Sequence, residues 1–210
     1  LWDAVPKIAS RLDNVVNEHV GKTLPINFSP ITFGSWIGGD RDGHPYVTKE
    51  VTEEVILLSR WKAANLYEKA LTEIIEDLSI HECSKEISKV IGNHWEPYRV
   101  YLRPIRNKMR STQMAIDAHL NEGKSIKESQ LVSSINELIE PLNVVYRSLC
   151  EVKCDVIANG HTLDLLRRAH AFGLNLAKLD IRQSSDKHRK LFKSIITYLG
   201  LGEYEKWSEN

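Results

Sequence analysis

Strand-forming sequence occurs at only two places in this 210-residue chain, and the long stretch between them repeats its apolar residues at three- and four-residue steps. Two strands are too few to close a barrel, so the chain is either mainly α or carries strands whose partners lie beyond its ends. Val5, Ile8, Leu12, Val15, Val16 and Val20 form one stripe and predict a helix over residues 3–20. Asp3 is placed to cap it, Pro6 fits its first turn, and Gly21 stops it. Residues 31–37 (ITFGSWI) have the β-branched and aromatic content of a strand and run into 38–45 (GGDRDGHP), a turn or loop. A long helix is predicted from after Thr48 to about Ser79, with Glu50, Glu53 and Glu54 in its first turns, where the helix dipole favours acids. Its stripe is Leu57, Trp61, Ala64, Tyr67, Leu71, Ile74, Ile75 and Leu78.

Further helices are predicted over 96–120, 129–149 and 162–172, with 121–129 as a polar, disordered connection. After Gly173 the period changes. Ala177, Leu179 and Ile181 point to one face of a second strand, and Lys178, Asp180 and Arg182 to the other. A last helix over 186–199 ends at Gly200, so helix, strand and helix follow one another as in a βα unit of a parallel sheet or barrel.

Charge excludes several functions. The 28 Lys and Arg balance 28 Asp and Glu, leaving no basic field for a nucleic-acid backbone or an anionic membrane. No run of roughly 18 apolar residues exists to span a bilayer. The N-terminus, LWDAVP, has no initiator Met and no signal segment, and reads like a chain cut from a longer one. Cys83, Cys150 and Cys154 are odd in number and have no finger-like His spacing, which fits a reduced, cytosolic protein. Cys150 and Cys154 lie four apart, on one helical face, without further ligands for a metal.

The densest chemical signal is the loop Gly38-Gly39-Asp40-Arg41-Asp42-Gly43. It lacks the Gly-Lys-Ser/Thr of a P-loop, the Rossmann glycine spacing, and the third acid and terminal Glu of a calcium loop. Two readings stand: a ligand-facing loop, or a structural turn closed by an Asp–Arg pair. Trp36, just before it, reads first as core. The Lys178, Asp180, Arg182 row reads as a polar interior or as an exposed edge. Arg167-Arg168 and Arg189-Lys190 read as solvated helix faces.

Several stretches together resemble phosphoenolpyruvate carboxylase. They are Phe33 to Thr48 (FGSWIGGDRDGHPYVT), Glu96 to Arg99 (EPYR), and Phe172-Gly-Leu with Leu179 to Gln183 (LDIRQ). Leu57 to Leu66 (LLSRWKAANL) and Tyr146 to Leu149 (YRSL) are also similar to that family. The likeness runs in order along nearly the whole chain; His44 departs from it, where the family usually has Asn.

The resemblance implies a central fragment of a larger, mainly α enzyme, with two short strands belonging to the parent β-barrel. Within 1–210 it implies a helix and linker over 1–30, a strand and Gly-rich substrate loop over 31–48, a helical bundle over 49–172, and a strand and helix over 173–210. The parent would convert phosphoenolpyruvate and bicarbonate to oxaloacetate and phosphate, an anaplerotic carboxylation, as a cytoplasmic homotetramer using Mg²⁺ or Mn²⁺. The family's catalytic-His segment and metal carboxylates are not in this sequence, so no metal ligand is assigned here and the fragment alone is expected to be inactive. Arg182 matches a phosphate-binding, catalytic Arg of the family, and Trp36 a Trp lining the substrate pocket. Arg41 is expected as a further substrate contact, and Asp180, between Lys178 and Arg182 on one strand face, is placed to orient or partly neutralise that row. Arg99 matches a position implicated in sugar-phosphate activation of plant-type members. The rival to an enzyme fragment is a non-catalytic helical module that binds a phosphorylated metabolite or makes subunit contacts.

Overall fold

A helical stripe is stable only when it buries against another element, so the core tells which of the predicted helices have partners. The computed structural model describes residues 1–42, 44–204 and 207. The helices are α1 (Ala4–Val20), α2 (Lys49–Asp77), α3 (Lys85–Ile91), α4 (Pro97–Glu122), α5 (Asn136–Glu151), a single turn α6 (Asp155–Ile157), α7 (Leu163–Phe172) and α8 (Ser185–Tyr198). The strands are β1 (Gly34–Ser35) and β2 (Lys178–Leu179). The chain divides into two units, Leu1–Phe33 with Ile56–Ala177, and Gly34–Val55 with Lys178–Asn210.

The first unit is a helical bundle. Tyr67, Leu71, Ile74 and Leu78 of α2 are buried in one cluster with Leu102 and Met109 of α4, Leu138, Leu142 and Leu149 of α5, and Leu165 and Leu166 of α7. The long stripe predicted for α2 is therefore the spine of the core. Tyr98 is fully buried with its hydroxyl 2.8 Å from Ser148 Oγ, which also accepts from the Ser84 N–H at 2.8 Å. Burial pushes that phenol up to about 12. Ser84 in turn accepts from the Ile87 N–H at 3.4 Å and caps α3, a helix too short to announce itself by periodicity.

Several sequence expectations change here. α5 starts at Asn136 rather than near 129, because Glu137 accepts from the Ser133 hydroxyl (2.6 Å) and from the N–H groups of Ser133 and Ser134 (2.7 and 3.2 Å). Those bonds, the Ser133 hydroxyl first among them, hold the Glu137 carboxyl below its usual range. The connection predicted to be disordered has defined structure, a 3₁₀ turn over Glu128–Gln130, with Lys108 Nζ donating to Ser129 O at 2.8 Å. Cys154 lies beyond the end of α5, so it does not share a helical face with Cys150; all three cysteines are free thiols.

At α1 only Val5, Pro6 and Ala9 are buried, while Ile8, Val15 and Val20 are exposed. Asp3 makes no capping bond and instead faces Arg168 at 3.4 Å. Arg167 and Arg168 are correspondingly not solvated: their side chains are 10% and 15% exposed, paired with Asp13 and Asp3. Arg168 also lies 5.2 Å over the Trp2 ring. Trp2 stacks on Phe172 at 5.4 Å and Phe172 on Phe33 at 5.0 Å.

In the second unit β1 and β2 pair in parallel, Gly34 opposite Lys178 and Ser35 opposite Leu179, with an isolated bridge between Asp40 and Arg182. Both strands are shorter than predicted. The Trp36 carbonyl accepts from the N–H groups of Gly39 (2.9 Å) and Asp40 (3.0 Å), which turns the chain out of the ladder. Ile181 is exposed, as are Leu191, Phe192 and Tyr198 of α8.

Candidate functional site

The loop after β1 is built against β2 by its backbone. Arg182 N–H donates to Gly39 O at 2.9 Å, and Arg41 N–H donates back to Arg182 O at 2.9 Å. Gly39 has no room for a side chain, since a Cβ there would press on the Asp180 carbonyl oxygen. Gly38 has φ +79°, a left-handed conformation that glycine adopts freely, and Val55 fills the space a Cβ would need. The two glycines thus answer two separate demands: close approach and backbone sign.

This backbone brings three of the predicted site residues together. The Arg182 guanidinium lies 4.6 Å from the centroid of the Trp36 ring. The Trp36 indole N–H donates to Asp180 Oδ2 at 3.1 Å. Asp180 therefore fixes the ring plane and the ring carries the cation, an arrangement worth roughly 0.5–1 kcal/mol at an exposed site. Trp36 is 56% exposed, which overturns its reading as core, and Lys178, Asp180 and Arg182 form an exposed row. An open cation beside an aromatic face suits an oxyanion ligand, to which the planar fork of Arg can donate two hydrogen bonds.

Arg41 is joined to this group through its main chain only. Its Nη2 donates to Thr52 Oγ1 at 2.7 Å, and its Nε is buried without a partner among the described residues. Among the described residues no Asp–Arg ion pair closes the loop; the Arg41–Thr52 bond does that work. Asp42 N–H turns back to Asp40 Oδ1 at 3.4 Å, and Gly43 lies outside the described residues. Thr52 escapes sequence reasoning because a lone hydroxyl in the first turn of a helix carries no motif.

Arg99 stands elsewhere, in the helical unit, and all of its nitrogens are engaged. Nε and Nη2 donate to the carbonyls of Ile75 and Glu76 at 2.8 Å each, and Nη1 pairs with Glu96 at 2.5 Å. It therefore closes the C-terminal end of α2. Arg99→Ala is expected to destabilise the fold by about 1.5–3 kcal/mol, the worth of charge-assisted hydrogen bonds. A shift of the urea midpoint to lower concentration checks this, and an unmoved midpoint refutes it.

Residues 1–210 match the family model described as phosphoenolpyruvate carboxylase, and the chain belongs to that family. It is 46% identical over 210 residues to the phosphoenolpyruvate carboxylase of Acinetobacter baylyi, covering 100% of this chain and 23% of that protein. With the enzyme of Hahella chejuensis it shares 46% identity over 209 residues, covering 100% of this chain and 24% of that one. With that of Vibrio vulnificus the figures are 43% over 210 residues, with 100% and 24% covered. The chain thus spans about a quarter of the length of these curated relatives.

Among the described residues no three His, Cys, Asp or Glu side chains come together as a metal-holding group. The described residues therefore do not fit Mg²⁺ or Mn²⁺. Among the described residues, too, no helix is long and apolar enough to cross a membrane.

Proposed function

We propose that this chain supplies the oxyanion-binding and water-excluding part of a phosphoenolpyruvate carboxylase active site, and that the 210 residues are inactive by themselves. In the proposed reaction a bicarbonate oxygen attacks phosphorus, and the bond from phosphorus to the enol oxygen breaks. Carboxyphosphate and the enolate of pyruvate result. Carboxyphosphate then splits to CO₂ and phosphate, and the enolate carbon attacks CO₂ to give oxaloacetate. Two anions must meet, so a fixed cation is needed where negative charge gathers. Arg182 is that cation, presenting its fork to the phosphoryl group or carboxyphosphate.

Water would protonate the enolate and end the cycle at pyruvate. The Trp36 indole is the apolar wall against it, held in plane by Asp180. Arg41 is proposed as a further contact to the substrate from the same loop. The parent enzyme is taken, on the resemblance, to be a cytoplasmic homotetramer whose metal is held elsewhere in its sequence. Arg99 is the proposed allosteric contact; loss of sugar-phosphate activation in Arg99→Ala, measured where the fold is intact, supports it, and retained activation removes it.

The observation that carries this reading is the stack of Arg182 on Trp36 at 4.6 Å, which puts the cation and the shielding ring on one spot. The test is the product ratio of the full-length enzyme. Trp36→Tyr is expected to raise the share of turnovers ending in pyruvate. An unchanged ratio in a merely less stable protein returns Trp36 to a packing role.

A further inference from the structure

Thr52 sits in the first turn of α2, 5% exposed, in the same unit as the loop it faces. Its hydroxyl is the meeting point of three groups. Arg41 Nη2 donates to it at 2.7 Å, and its own proton is shared between Gly38 O at 2.8 Å and Thr48 O at 3.0 Å. Gly38 is the residue with the left-handed φ of +79°, and Arg41 is the residue whose N–H meets the Arg182 carbonyl at 2.9 Å. One hydroxyl therefore grips the loop at both ends of its turn, and the loop in turn pairs with the main chain of Arg182. Without it, the Gly38 carbonyl and one guanidinium nitrogen of Arg41 lose a partner in a half-buried place, where that loss is costly.

We infer that Thr52 is a positioning residue of the substrate site. It does not touch the reacting atoms. It holds the loop in the conformation that sets Arg41 beside β2 and seats Trp36 under the Arg182 guanidinium. This rests on the carboxylase reading of the site. A side chain serving only as helix filler would be indifferent to the difference between a hydroxyl and a methyl. A positioning hydroxyl is not.

The test uses the full-length enzyme and the pair Thr52→Val and Thr52→Ser. Val keeps the shape and removes the hydroxyl; Ser keeps the hydroxyl and removes a methyl. Thr52→Val is expected to lower kcat/KM for phosphoenolpyruvate by about 10–100-fold, the scale of a catalytic group displaced by an ångström or less. The pyruvate share should rise with it, because Trp36 moves with the loop, and Thr52→Ser should restore both. The product ratio is counted per turnover, so it is blind to how much protein has folded. A kcat/KM within twofold of the unsubstituted enzyme overturns the inference, as does a loss that follows only the folded fraction with the product ratio unchanged. An unsubstituted full-length protein that makes no oxaloacetate would instead overturn the carboxylase reading beneath it, and the two failures are told apart by that control.

Discussion

Arg182→Ala and Arg182→Lys, each made in the full-length enzyme, are expected to lower kcat by roughly 10²–10³, the usual cost of removing one preorganised donor from a site of developing negative charge. Lys keeps the charge but loses the planar fork and the flat face that rests on Trp36, so charge alone does not restore function. The fold should barely notice either change. The main-chain bonds from Arg182 N–H to Gly39 O and from Arg41 N–H to Arg182 O remain whatever the side chain is. What disappears is an exposed cation–π contact with Trp36, and such exposed contacts add little to stability. Turnover and melting temperature measured on the same proteins separate the two possibilities. Near-normal turnover in Arg182→Ala would remove the substrate role; a large fall in melting temperature would make the residue structural.

Gly39→Ala is expected to be as damaging for a different reason. The added methyl has nowhere to go: it meets the Asp180 carbonyl oxygen and carbon, which are backbone, and then Leu179 Cδ1 at 3.2 Å. A side chain would swing aside, but the Asp180 carbonyl is main chain between β2 and the Asp40–Arg182 bridge, and it moves only if the pairing of Gly39 with Arg182 opens. That shift of the loop against β2 carries Trp36 away from Asp180 and Arg182, and displacement on the order of an ångström costs about 10² in rate. Activity should fall by at least that much while the helical unit, which contains none of these residues, keeps its stability. The control is Gly21→Ala, where a φ of +67° strains the residue but nothing lies within 4 Å. Full activity in Gly39→Ala would mean that the close approach is not needed for function.

The helical part of the fold was legible because it is amphipathic and local. The stripe from Ala64 to Leu78 is buried much as its spacing predicts. The pairing of Arg167 and Arg168 is not legible for the opposite reason. Their partners, Asp13 and Asp3, are 154 and 165 positions away in sequence, and no period reaches that far. Trp36 and Arg182 are legible from motif likeness alone; residue type favours a core Trp, and Trp36 stands in the open. The strands were predicted too long because a strand's length is set by its neighbour, and here β1 and β2 pair over only two residues each. Thr52 was invisible because its importance lies entirely in what surrounds its oxygen.

The parallel pairing of β1 with β2 also fixes an order of events. Trp36 and Asp180 are 144 positions apart, so during synthesis the loop with Trp36 emerges long before its partner strand exists. At roughly 5–20 residues per second, that interval is on the order of ten seconds. Helix pairs close through local contacts in far less time, whereas joining distant strands is slow. Folding of α2 to α7, which lie between the strands in sequence, is expected to shorten the effective loop that the strand pair must close, whose entropic cost grows with length. Arg182 thus emerges long after the loop that it must meet.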